Sequence, residues 1–126
     1  MAIAEEQLEA ICRIPTSLKN QSLSRAVKTS GFGEFREAIT ERELAAYLAS
    51  HPQFINDWEG YSLDKRTTSG WYLVMRGDRW TVGFLGDARP DEWFHSAAEA
   101  CAAFMLRDID RVHCSMSFRR RRWPAP

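Results

Sequence analysis

Trp71-Tyr-Leu-Val-Met-Arg-Gly77-Asp78-Arg79-Trp-Thr-Val-Gly-Phe84 is a β-hairpin written out in sequence. Two runs rich in aromatic and β-branched residues flank a Gly-Asp pair, and a glycine in the first central position suits a type II′ turn, where φ is positive. In that register Met75 faces Trp80, Leu73 faces Val82 and Trp71 faces Phe84. These six share one face, and Tyr72, Val74, Thr81 and Gly83 share the other. A slip of one residue would scramble the pattern, so the pattern fixes the register.

Working outward, Gly86-Asp-Ala-Arg-Pro-Asp91 reads as a loop and Glu92 to His95 as a short third strand. Ser96-Ala97-Ala98-Glu99 is a capping box that opens a helix expected to end near Val112. Ala98, Cys101, Ala102, Met105, Ile109 and Val112 recur at helical spacing, small enough to let the helix lie close on the hairpin's apolar face. His113 to Phe118 alternates weakly as a further strand.

On the N-terminal side, Leu8, Ile11 and Cys12 form a helical face that Pro15 ends, and Leu23, Ala26 and Val27 form another before Gly31-Phe32-Gly33. Thr40-Glu41-Arg42-Glu43 is a second capping box, followed by Leu44, Tyr47 and Leu48, and Pro52 ends or restarts the helix. A turn from Pro52 to Trp58 is expected to break at Gly60, with a polar loop over residues 61–70. The expectation is an α+β fold: a helical N-terminal half, then a small antiparallel sheet with a C-terminal helix on one face. Residues 1–118 form one domain, and 119–126 a flexible Arg-rich tail.

The composition suits one domain with its own core. The chain has 126 residues, 44% of them hydrophobic and 27% charged. Its longest apolar run, Ala100 to Leu106, is seven residues, against about 20 for a membrane span. No signal-peptide pattern opens the chain, and its three cysteines are scattered, so a cytoplasmic location is expected. No cofactor or metal is called for, since Cys12, Cys101 and Cys114 have no ligand spacing with His51, His95 or His113. No nucleophile–base constellation is legible, and an enzyme built on Cys114 or His95 is the weaker reading. Arg76-Gly77-Asp78 is accounted for by its turn.

The 17 basic and 17 acidic residues cancel, yet Arg119–Arg122 hold four of the positive charges. Residues 1–118 are left with 13 basic against 17 acidic, a charge of −4. This excludes a wholly basic nucleic-acid binder and leaves a polarised molecule. A rival use of the tail is nucleic-acid contact, with Trp123 stacking on bases.

Ser69-Gly70-Trp71-Tyr72-Leu73, then Trp80-Thr-Val-Gly-Phe84, then Trp93-Phe94-His-Ser96 lead into Glu99-Ala100-Cys101. Over residues 64–112 this resembles the small immunity proteins of bacterial polymorphic-toxin systems, many of which carry an aromatic hairpin followed by a capped, Ala-rich helix. The resemblance implies a non-enzymatic inhibitor that binds a cognate toxin domain and blocks its active site. Zero net charge does not favour a nuclease target, because carboxylates that mimic phosphate make such inhibitors acidic. Five tryptophans supply aromatic surplus. Trp71 and Trp80 are expected in the core, whereas Trp58 and Trp93 can serve either core or interface. The expected contact surface is Asp64, Lys65 and Arg66 with Trp58 and Tyr61, then Asp87, Asp91 and Glu92 with Trp93. No membrane contact is expected.

Overall fold

The structure, a computed structural model, describes residues 5–64, 70–86 and 90–122, and of 64 and 116–122 the backbone alone. The hairpin has the register read from the sequence: β1 (Gly70–Arg76) pairs antiparallel with β2 (Arg79–Leu85), with Trp71 opposite Phe84, Leu73 opposite Val82 and Met75 opposite Trp80. Gly77 takes the positive φ, +65°, that the turn demands. The third strand, β3 (Glu92–Phe94), pairs antiparallel with β2, giving the order β1-β2-β3.

Six helices precede the sheet among the described residues: α1 (Glu5–Cys12), α2 (Ile14–Ser17), α3 (Leu23–Thr29), α4 (Phe32–Phe35), α5 (Glu41–Ser50) and α6 (Pro52–Asp64). The two strongest sequence caps are in place. Thr40 Oγ1 accepts from the Glu43 amide at 3.1 Å, and Ser96 Oγ accepts from the Glu99 amide at 3.2 Å. The fold is α+β, with a helical N-terminal half and the C-terminal helix α7 (Ala97–Arg122) against the sheet.

The long helix runs past its expected end. The backbone stays helical through Arg122, so 113–118 form no strand and Arg119–Arg122 continue the helix. Residues 123–126 lie outside the described residues. Its first half is buried all round, since Ala100 through Met105 are all enclosed. The sheet covers one side while α3, α5 and α6 cover the other. A run of seven apolar residues leaves no polar face, which is the pattern of a central helix rather than a surface one.

Another expectation fails for an identifiable reason. Gly60 does not stop α6, which continues to Asp64. A helical glycine costs about 1 kcal/mol relative to alanine, and the residues on either side offset it through tertiary contacts. Trp58 is fully buried, and Ser62 is buried against β1. Met75 is 42% exposed even though its face is the core face, while Leu73 and Val82 on that face are fully enclosed.

Ser62 has a specific task. Its hydroxyl accepts from the Leu73 amide at 2.7 Å and donates to the Leu73 carbonyl at 3.0 Å. Leu73 sits in a non-hydrogen-bonded pair with Val82, so its backbone groups point away from β2. One serine on a helix thereby stands in for a neighbouring strand at the middle of the sheet edge.

Candidate functional site

The sheet face turned away from α7 carries Tyr72, Val74, Thr81, Gly83 and Trp93, because Thr81 is opposite both Val74 and Trp93. Its organisation begins with an absence. Gly83 is opposite Tyr72, and a Cβ at 83 would overlap the Tyr72 hydroxyl and the Asp91 carboxylate. Glycine therefore lets the phenol ring lie flat across the strand.

Three groups converge there. Tyr72 Oη donates to Asp91 Oδ1 at 2.9 Å, Arg76 Nη1 donates to Asp91 Oδ2 at 3.2 Å, and the Arg76 guanidinium lies 5.7 Å from the Tyr72 ring centre. Partial burial and the adjoining Asp91 carboxylate hold the Tyr72 phenol above its usual range, so it remains a donor. Next to this network Trp93 is 51% exposed. The Arg79 guanidinium stacks 4.1 Å from its ring centre, and His95 meets its edge at 5.2 Å. Two cations, one carboxylate and two large aromatics thus share a surface whose side chains hold one another in place. Such a face suits a polypeptide partner, since aromatics bury large areas at small entropic cost.

The residues proposed from sequence divide sharply. Asp91 and Trp93 belong to this face. Glu92 points the other way, accepting at 3.0 Å from Arg107 Nη2, which also approaches Glu41 at 3.6 Å and lies over Trp71. That ties α5, α7, β1 and β3 together. Trp58 is corrected from contact residue to core residue. It is fully enclosed, and its Nε1 donates at 3.1 Å to the Cys12 carbonyl, one of the carbonyls a helix end leaves without a partner. Tyr61 is half-buried and donates at 2.7 Å to Asp108, so it too is committed internally. Asp64 ends α6, while Lys65, Arg66 and Asp87 lie outside the described residues. Sequence reading missed Tyr72, Arg76, Arg79 and Gly83. The first three looked like ordinary solvent-side strand positions, and they are distinguished by the tertiary approach of Asp91 to Tyr72 and Arg76 and of Trp93 to Arg79.

It also missed Asp108, a carboxylate 1% exposed on the central helix. Tyr61 and Arg111, 3.9 Å away, face it, and burial together with Asp108 drives the Tyr61 phenol far up. The signal the sequence offers is spacing alone: inside the charged run Arg107–Arg111, Asp108 shares a helical face with Cys101, Met105 and Val112.

The candidate nucleophile and base residues have contacts elsewhere in the fold. His113 lies on α7 rather than on a strand, packed on Gly33 and edge-on to Phe32 at 5.8 Å, and Cys114 beside it is exposed and contacted by Arg36 Nη2 at 3.6 Å. Burial pushes the Cys12 thiol up to about 12 and Cys101 higher still. His51 stacks on Tyr47 at 4.1 Å and hydrogen-bonds through Nδ1 with its carbonyl at 2.8 Å. Among the described residues no group of three or more His, Cys, Asp or Glu side chains is arranged to hold a metal ion. No helix of the described residues is long and apolar enough to cross a membrane. Comparison with family models, curated proteins and solved structures finds no match for this chain.

Proposed function

We propose that this chain is a non-enzymatic immunity protein, acting in the cytoplasm, that binds a cognate bacterial toxin domain and neutralises it by blocking its active site. The contact surface is the outer sheet face around Trp93. The observation that carries the reading is the exposed Trp93 ring clamped beneath Arg79, beside the Tyr72–Asp91–Arg76 network. A rigid exposed aromatic next to pre-oriented charges is the composition of a binding hot spot. The charges steer and orient the partner, and the aromatics supply buried area.

The reading expects a large secreted protein with a toxic C-terminal domain to be encoded in the adjoining reading frame, and the test is co-expression of this chain with that domain. Growth is restored by the wild-type chain and lost with Trp93→Ala or Arg79→Ala, both variants remaining folded by circular dichroism. Hydrogen exchange on the complex slows in residues 72–81 and 91–95. A chain that fails to restore growth, or protection confined to the helical half, overturns the reading.

A second reading follows from α7 continuing through Arg119–Arg122. Four consecutive helical positions put positive charge at one end of a body of charge −4, as a nucleic-acid arm would. Deleting residues 119–126 separates the two: salt-sensitive nucleic-acid binding disappears, whereas toxin neutralisation persists.

A further inference from the structure

The two edges of the sheet are treated differently. Ser62 occupies the Leu73 backbone groups on the β1 side, but no described strand lies beyond β3. Thr81 is in a hydrogen-bonded pair with Val74, so its pair with Trp93 is a non-hydrogen-bonded one. The Trp93 amide and carbonyl therefore point outward from the sheet. The same alternation turns the backbone of Asp91 and His95 outward on either side of it.

We propose that β3 is the interface of a two-fold homodimer, in which β3 of a second copy pairs antiparallel with it, centred on Trp93. The partner is identified by self-complementarity. In that register Trp93 is opposite its own counterpart, and Asp91 is opposite His95 of the second copy. This cross-strand acid–imidazole pair occurs twice because of the two-fold axis. It also brings together two half-exposed tryptophan rings, burying surface that an isolated chain leaves in water.

The layer beneath the edge is compatible. A groove of about 530 Å³ runs next to β3, lined by Ala45, Ala46 and Ala49 of α5 and by Phe94. Ala46 and Ala49 are exposed, so a second copy can bring its own α5 close without displacing bulky side chains. Arg42 and Glu99 border this groove, and neither has an ion-pair partner among the described residues. The proposal does not rest on the toxin reading; because both use Trp93 and Asp91, a toxin bound there would displace the second copy, and the dimer's test needs only this chain.

Sedimentation of the purified full-length chain is expected to show a concentration-dependent dimer. The decisive variants are H95D, which puts Asp at both flanking positions, and D91H, which puts His at both. Each alone sets like groups opposite one another and weakens the dimer about ten-fold or more. An equal mixture restores Asp opposite His twice and returns the affinity toward wild type. Mixing separates lost pairing from lost folding, since misfolded chains do not rescue one another. Trp93→Pro removes the outward amide without breaking a bond to β2, and it also yields monomer. A wild-type chain that stays monomeric at every soluble concentration, even if it pairs with a strand of another protein, overturns the proposal. So does a dimer unmoved by these variants, or one not rescued by mixing.

Discussion

The two faces of the three-stranded sheet are made from the same strands by different physics. On the inner face Leu73 and Val82 are fully enclosed, with Trp71 and Trp80 packed against the core and Phe84 edge-on to Trp71. Attraction there is non-directional and scales with buried area. On the outer face Tyr72, Asp91 and Arg76, with Trp93 and Arg79, hold fixed relative positions through hydrogen bonds and stacking while staying accessible. Alternation along a strand lets one stretch of sequence serve both purposes, because neighbouring residues answer to different constraints. The inner set is tuned for stability and the outer set for presenting a surface.

The strongest way to break the inner half of this contrast is Leu73→Ala. It removes a fully enclosed side chain and is expected to cost about 2–5 kcal/mol in denaturant unfolding. Ser62→Ala comes next. It strips the Leu73 amide and carbonyl of their partner, with an expected loss of about 1–3 kcal/mol. Tyr61→Phe should cost a comparable or smaller amount at neutral pH, because Asp108 loses a donor.

The same buried groups give a pH dependence. Burial holds Cys12, Cys101 and Tyr61 above their ordinary values, so the unfolded chain ionises before the folded one. Their contribution is complete below the unfolded values, 9.0 for the thiols and 10.0 for the phenol. It is lost as pH rises through the higher folded values. Unfolding followed from pH 7 to 11 is expected to show falling stability above 9, with a shallower fall in Tyr61→Phe. The smallest effect on stability falls on the outer face. Trp93→Ala is expected to change unfolding by about 0.5–1 kcal/mol, the worth of an exposed stacked pair. Partner affinity should meanwhile drop by about 2 kcal/mol or more in titration calorimetry. Equal losses in both measurements would erase the distinction between the faces.

Local chemistry made the hairpin legible. Gly77-Asp78 permits one turn, alternation permits one register, and both were realised. The caps at Thr40 and Ser96 were legible for the same reason, since acceptor and amide are three residues apart. Features decided by distant chain segments were not. Gly60 has a helix-breaking propensity that Trp58 and Ser62 override through contacts with Cys12 and Leu73. Trp58 and Trp93 carried equal claims to the surface in sequence, and only the Cys12 carbonyl and the edge position of β3 separate them. The candidate face was half visible. Asp91 and Trp93 lie in a loop and strand rich in charge and aromatics, but the glycine that makes room for Tyr72 announces nothing until its neighbour is seen.

The serine clamp on β1 bears on how far association could go. A sheet open at both edges can add strands without limit, which is the geometry of a fibre. With Ser62 of α6 seated at the centre of one edge, the β3 edge is the one left to grow among the described residues. Any strand-to-strand joining of copies then terminates at two, each capping the other's single open end. In the proposed dimer a lone hydroxyl on a helix would thus work as a chain terminator for assembly, turning an aggregation hazard into a closed pair.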